Sequence, residues 1–478
     1  MKTNLKLYSL TLVAIAVAFS SCKKLVSIPE PTDTVTTVKV FSNDNEANSA
    51  MAGVYTLMIN NDSNGATGLL GFATGMSTLY GAMSANELIA STTNGQDYLF
   101  NQNRLTADIG STAIIWKTAY TAIYGSNAVI EGVEASVSPK LHDEVRKKLT
   151  GEAKFVRAFT YFYLVNFFGD VPMVLTVDFN KTATMKKTPK NEVYAQMIKD
   201  LLDAKSLLSA DFSGGGGERI LPTKWAATAL LARAYLYTGD YANASAQASE
   251  VIGQAALFNL PADLNTVFLS TSQEAIWQLK QSTLPANKNA TPEGTTLFSK
   301  PAYYYVSKEL ENDFEMEDQR KVAWFHLDSL QGKPVYQAYK YKTGQANSSI
   351  TGTVTEYSVV LRLAEQYLIR AEAQNLGGLS LGQAIADLNV IRKRAGLNNL
   401  PITLSKNEVT KAIEHEREIE LFAEWGHRWF DLKRTGRAHD VLSAVQIKQP
   451  WTGDYQLLYP IPRSEIITNQ NLIQNPGY

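Results

Sequence analysis

The chain is 478 residues long, enough to bury a substantial core without disulfides or a metal. Hydrophobic residues at 45% and charged residues at 19% exclude an intrinsically disordered chain. A formal charge of −1, from 45 basic and 46 acidic side chains, lacks the basic surplus that nucleic-acid binding needs.

Residues 1–21 read as a signal peptide that is not part of the fold. Lys2 and Lys6 form a short basic start, an apolar run from Leu7 to Phe19 follows, and Ser20 and Ser21 supply the small residues before a cut. The apolar run is too short for a membrane span, which needs roughly 20 residues. Cys22 is the only cysteine. Its place after Ser20-Ser21 resembles a lipobox, with Phe19 where Leu, Val or Ile is usual, so Cys22 is the expected lipidation site. Lipidation also accounts for a secreted chain with one unpaired thiol. Residues 22–40, with Pro29 and Pro31 and no apolar periodicity, read as the lipidated cysteine and an extended tether.

Residues 41–478 read as one mainly α domain. Asn43 to Met58 is the first expected helix, with Ser42 and Asn43 as cap candidates. Trp116 to Val133 repeats apolar positions at three- and four-residue spacing, and Glu144 to Phe168 carries Phe155, Phe159, Phe162 and Leu164 through its body. The latter stops at Gly169-Asp170-Val171-Pro172, a Gly-Pro breaker. Asn191 to Leu208 is next. Thr223 to Tyr237 and Tyr241 to Ile252 form a pair around Gly239-Asp240. Its Leu231, Ala232, Tyr235, Gly239, Tyr241, Ala244 and Ala248 follow tetratricopeptide-like spacing. A second pair is expected over Tyr357 to Leu376 and Leu381 to Arg394, and a further helix over Lys406 to Glu424.

Two stretches, at about 60–112 and 260–355, resist the helical reading and read as irregular insertions. Long loops in a compact protein are commonly functional. A sugar ring stacks its C–H face on an aromatic side chain while its hydroxyls seek amide or carboxylate partners. Tyr80 and Tyr98 in the first stretch, near Asn86, Asn94 and Gln96, fit that chemistry. Tyr303, Tyr304 and Tyr305 in the second, with Trp324 downstream, fit it as well. The candidate ligand-binding residues are therefore Tyr80, Asn86, Tyr98, Tyr303, Tyr304, Tyr305 and Trp324. Three successive tyrosines cannot all face one way, so at most two of that triplet serve one ligand.

Catalytic and metal readings fare worse. Glu416, Glu420, Glu424 and Arg428 recur every four residues and would share a helix face. Paired carboxylates suggest a glycosidase. Arg417, Arg428 and Arg434, with Glu365 and Glu372, instead suggest a buried charge network, and nearby arginine lowers a carboxyl pKa where a general acid needs it raised. The five histidines show no ligand spacing, and no phosphate loop or nucleophile elbow occurs. No catalytic residue, metal or cofactor is expected.

Several stretches, in order, resemble the SusD/RagB family of Bacteroidetes outer-membrane lipoproteins. They are Gly151-Glu152-Ala153-Lys154-Phe155-Val156-Arg157-Ala158 leading to Phe168-Gly169-Asp170-Val171-Pro172, Arg362-Leu363-Ala364-Glu365 with Arg370-Ala371-Glu372-Ala373, and Asn389-Val390-Ile391-Arg392-Lys393-Arg394-Ala395-Gly396. Glu416-Arg417-Glu418-Ile419-Glu420-Leu421 leads on to His427-Arg428-Trp429-Phe430-Asp431-Leu432-Lys433-Arg434, and the chain closes with Tyr459-Pro460-Ile461-Pro462 and Gln474-Asn475-Pro476-Gly477-Tyr478. The resemblance implies a tetratricopeptide-like helical scaffold with a loop-rich binding face. It implies a lipid-anchored outer-membrane protein facing the cell surface, and a SusC-like TonB-dependent transporter as partner. Lys23 and Lys24 depart from the acidic residues that often follow the lipidated cysteine in this group. The expected function is capture of oligosaccharide without catalysis. An oligopeptide-binding member of the family, a secreted glycoside hydrolase and a scaffold that binds only proteins are the rival readings.

Overall fold

The computed structural model describes residues 37–60, 71–281 and 289–478. The expected signal peptide, Cys22, most of the tether and residues 61–70 of the first insertion lie outside the described residues. The tether's last residues, Thr37–Val40, form a single helical turn.

The helical frame runs in chain order through α1 (Asp44–Asn60), α2 (Ser77–Ser84), α3 (Gln96–Asn101), α4 (Gly110–Ala135), α5 (Asp143–Phe168), α6 (Lys190–Leu207), α7 (Lys224–Thr238) and α8 (Tyr241–Ile252). It resumes with α9 (Leu363–Leu376), α10 (Leu381–Arg394), α11 (Lys406–Leu421) and α12 (His427–Arg434). Each long helix packs on its neighbour: α1 on α4, α4 on α5, α5 on α6, α6 on α7, α7 on α8, α8 on α9, then α9 on both α10 and α11. This is a mainly helical, tetratricopeptide-like scaffold. Short strands decorate it in three antiparallel pairs: β1 (Leu88–Ala90) with β3 (Tyr304–Val306), β2 (Ala275–Leu279) with β6 (Ser358–Arg362), and β4 (Phe325–Leu330) with β5 (Lys333–Ala338).

Helix α5 is the central beam, and its sequence shows why. Asp143 and Glu144 occupy the first turn, where the helix dipole favours acids. Phe155 and Phe159 meet the Trp277 ring edge-on at 4.9 and 5.1 Å, and Phe159 meets Trp425 at 5.5 Å. Gly151 lets the end of α6 close on α5, since a Cβ there would lie 3.0 Å from Leu208. Arg157 donates through Nε and Nη2 to both oxygens of Asp200 at 2.8 and 2.7 Å, and through Nη1 to Asn127 Oδ1 at 2.8 Å. One buried guanidinium thus ties α4, α5 and α6. The helix stops at Gly169, whose φ of 77° suits glycine and whose N–H donates to the Val165 carbonyl at 3.1 Å.

The α7–α8 pair follows the expected spacing. Gly239 takes φ 77° at the turn, and Asp240 caps α8 by accepting from the Asn243 N–H at 3.2 Å. Ala232, Leu236, Ala244 and Ala248 then share a small core with Ile369 and Ala373 of α9.

Three expectations need correction. Tyr357 does not begin a helix: Ser358–Arg362 is strand β6, fully buried against β2, and Val359-Val360 suit that pleated environment. Helix α11 ends at Leu421 rather than Glu424, because Ala423, Trp425 and Gly426 all take positive φ. Glu424 and Arg428 therefore leave the shared helix face. The two insertions also hold more regular structure than expected, with α2, β1 and α3 in the first and β3, β4 and β5 in the second.

Candidate functional site

The two insertions meet. Strand β1 from the first pairs with β3 from the second, in the register Leu88↔Val306, Ile89↔Tyr305 and Ala90↔Tyr304. The ladder continues as Ser91 N–H donates to the Tyr303 carbonyl at 2.8 Å. On the far edge of β1, Asn101 substitutes for a strand: its Nδ2 donates to the Leu88 carbonyl at 2.6 Å and its Oδ1 accepts from the Ala90 N–H at 2.9 Å. A two-stranded ribbon alone is marginal, and this side chain anchors it to α3.

Side chains alternate across the ribbon. Tyr304 points inward, where its hydroxyl donates to Asp97 Oδ2 at 2.6 Å, while Tyr80 donates to Asp97 Oδ1 at 3.1 Å. Burial, with the Asp97 carboxylate beside them, holds both phenols far above their ordinary pKa, so they stay protonated as donors. Tyr303 and Tyr305 take the other face. Tyr303 is 49% exposed and Tyr305 is half-buried; burial and the neighbouring Tyr98 raise the Tyr305 hydroxyl. Beside them the exposed turn Thr92-Thr93-Asn94-Gly95-Gln96 carries hydroxyl and amide groups. The ribbon thus offers phenol faces and neutral hydrogen-bonding groups on one surface.

Of the seven candidates, Tyr303 and Tyr305 share this surface, Tyr98 neighbours Tyr305, and Tyr304 supports the ribbon from below. Three others are placed elsewhere. Tyr80 lies in the core on α2, its ring stacked on Phe100 at 4.1 Å. Asn86 is buried at φ 66° in the turn before β1, where asparagine tolerates the left-handed region. Trp324 is fully buried: its Nε1 donates to the Leu264 carbonyl at 3.1 Å, and the Lys340 ammonium sits 4.6 Å from its ring centroid. Its faces serve the core rather than a ligand. Asp97 and Asn101, which build the ribbon, were not singled out from sequence; the only hint was the polar run Gln96-Asp97-Tyr98 next to Asn94.

Glu416 and Glu420 of α11, with Glu424 just beyond its end, are engaged in a buried network. Glu416 accepts from Arg320 Nη1 at 2.5 Å. Glu420 accepts from Arg320 at 3.0 Å, from Arg362 at 2.6 Å and from Arg394. Glu424 accepts from Lys340 at 2.5 Å and from Arg362 at 2.8 Å. Burial pushes the Glu420 carboxyl up, but Arg394, Arg362 and Arg320 together hold it well below the ordinary range. Such a group cannot serve as a general acid near neutral pH. Of the expected partners, Arg434 pairs with Glu372 at 2.5 Å, Arg417 with Asp431 at 2.7 Å and Arg428 with Glu418 at 2.8 Å, while Glu365 pairs with Arg233 at 2.7 Å.

The SusD family model matches residues 303–478, and a second model, described as starch-binding and associating with the outer membrane, matches residues 49–236. The chain belongs to the SusD family. SusD-like protein P2 of Formosa agariphila is 28% identical over 81% of this chain and 84% of its own length. The starch-binding protein SusD of Bacteroides thetaiotaomicron is 24% identical over 68% of this chain and 72% of its own. Among solved structures, a SusD superfamily protein from Bacteroides vulgatus superposes with a TM-score of 0.77 at 23% identity, covering 92% of this chain and 100% of that one. A laminarin-binding SusD-like protein superposes at 0.73 with 24% identity, covering 92% and 100%. At these identities the SusD structures share the scaffold.

Proposed function

We propose that this SusD-family chain is a non-catalytic, lipid-anchored capture protein of the outer membrane. It binds an oligosaccharide across the β1–β3 ribbon and passes it to a SusC-like TonB-dependent transporter. The observation that carries this reading is the outward pair Tyr303 and Tyr305 beside Tyr98 and the Thr92–Gln96 turn. Pyranose C–H faces stack on the phenol rings, and the hydroxyls exchange hydrogen bonds with threonine, asparagine and glutamine side chains. Relatives named for starch and laminarin binding point to a glucan. Lipidation at Cys22 supplies the anchor.

Calorimetric titration with laminari- and malto-oligosaccharides, each incubated long enough to detect cleavage, tests the reading. Saturable heat with the oligosaccharide recovered intact is the expected result. Released shorter sugars would overturn the non-catalytic assignment. Heat from oligopeptides alone would replace glycan by peptide as the ligand.

A further inference from the structure

The turn that leads from strand β1 into helix α3 carries Asn94 directly before Gly95. An asparagine followed by glycine is open to a reaction of the chain with itself. The main-chain nitrogen of the second residue attacks the side-chain carbonyl of the first, and glycine has no Cβ to obstruct the approach. Asparagine is for this reason among the thermolabile residues. Whether the reaction runs depends on whether the two groups are held.

At this turn neither is held. Both residues are exposed and lie outside any helix or strand. Among the described residues, the Asn94 side chain and the Gly95 N–H make no hydrogen bond. Asn347-Ser348 is the opposite case, again an asparagine before a small residue at the surface. Asn347 Oδ1 accepts from the Gly344 N–H at 2.8 Å and its Nδ2 donates to the Lys342 carbonyl at 2.9 Å, while the Ser348 N–H donates to the Gly344 carbonyl at 2.8 Å. Both reacting groups are tied there. The other asparagine–glycine pair, Asn64-Gly65, lies outside the described residues.

We propose that Asn94 is a site of spontaneous deamidation, and that the change weakens the tyrosine ribbon as a binding surface. The Gly95 nitrogen bonds to Asn94 Cγ, the Cγ–Nδ2 bond breaks, and the Gly95 proton leaves with ammonia. Water then opens the cyclic imide. Opening at Cγ gives aspartate; opening at the Asn94 main-chain carbonyl gives isoaspartate, with one more carbon in the main chain. Water is the only co-reactant. Either product carries a carboxylate at neutral pH where the turn had a neutral amide. The new charge stands three residues before Asp97, which holds Tyr304 under the ribbon. Isoaspartate also lengthens the link between β1 and α3.

Peptide mapping by mass spectrometry tests the site, on full chain stored warm in mildly alkaline buffer. The Asn94 peptide is expected to gain aspartyl and isoaspartyl forms while Asn347 stays an amide. Gly95→Ala is the deciding variant. Gly95 has φ −92° and ψ 161°, open to any residue, and a Cβ there would meet only Thr92 Oγ1, at 3.5 Å. The fold is therefore kept, and conversion should slow severalfold. An unconverted Asn94, or Asn347 converting as fast, would overturn the site. The effect on the ribbon rests on the glycan reading above. It is measured by titrating laminaritetraose into fresh and stored samples of each chain. Affinity should fall severalfold on storage of the parent and less on storage of Gly95→Ala. Unchanged affinity in converted protein would overturn the link to the ribbon alone. No binding even in fresh protein would overturn the glycan reading and the link together, with the conversion still read from the peptide map.

Discussion

At Glu420, three arginines converge on one buried carboxylate; at Tyr303, a phenol ring stands about half exposed on a two-stranded ribbon. The first region has the residue types of an active site and the second has little but tyrosines and amides. Yet the charged region is closed, each carboxylate occupied by guanidinium or ammonium, whereas the neutral region keeps its bonding capacity turned outward. Clustered charge in this molecule marks where elements are joined. Thus β6, α10, α11 and the segment around Arg320 meet through Glu420, Arg362, Arg394 and Arg320.

Four variants sharpen that contrast. Glu420→Ala leaves three arginines facing an empty site, and breaking a buried pair in this way costs about 3–5 kcal/mol. A urea midpoint lowered to match is expected, and an unchanged midpoint would show that the network does not hold the fold. Tyr303→Ala should do the reverse. Oligosaccharide affinity by calorimetry falls about tenfold, about 1.4 kcal/mol, while stability stays within about 0.5 kcal/mol of the parent. Equal loss of stability and affinity would erase the distinction between the regions.

Asp97→Asn lies between them. It weakens the support that Tyr80 and Tyr304 give the ribbon by about 1 kcal/mol. Binding should weaken severalfold with a small drop in melting temperature, and unchanged binding would free the ribbon from that support. The smallest effect near pH 4.5, where the carboxyl is protonated in the folded chain, belongs to Glu87→Gln. Burial, with Glu418 nearby, raises the Glu87 carboxyl from 4.5 to about 8. Between those values the folded chain holds a proton that the unfolded chain has lost, so this group's contribution falls as pH rises through about 8. Glutamine mimics the protonated form, and the stability decline between about pH 4.5 and 8 should flatten. The arginine-held carboxyl of Glu420 works oppositely, its contribution being lost as pH falls below the ordinary carboxylate range.

The frame was legible because helical periodicity is local. The breaker at Gly169–Pro172, the Gly239-Asp240 turn and the start of α8 at Tyr241 follow from neighbouring residues alone. Strand β6 was misread because what makes Ser358–Arg362 a strand is β2, roughly eighty residues earlier, and a short apolar run does not declare its partner. The site was half legible for a related reason. Tyrosines in loops indicate contact chemistry, but only the β1–β3 register decides that Tyr303 and Tyr305 face outward while Tyr304 faces Asp97. Tyr80 and Trp324 have the same side-chain chemistry as the exposed rings, and burial alone separates them. The partners of Glu416 and Glu420 came from Arg320, Arg362 and Arg394, far enough along the chain that α11 by itself pointed to the wrong arginines.

The closing residues of the chain have a kinetic consequence. Asn475 Nδ2 donates to the Phe168 carbonyl at 2.7 Å and the Tyr459 carbonyl at 2.9 Å, Tyr459 shares a hydrogen bond with Ser84 at 3.0 Å, and Lys448 donates to the Asn101 carbonyl at 2.9 Å. All but the Asn475–Tyr459 bond join segments more than 300 residues apart. Loops of that span close slowly, and a chain emerging from the ribosome holds its first two hundred residues long before their final partners exist. The N-terminal helices must therefore wait unlatched for the tail. Such a polypeptide stays threadable until its last segment arrives.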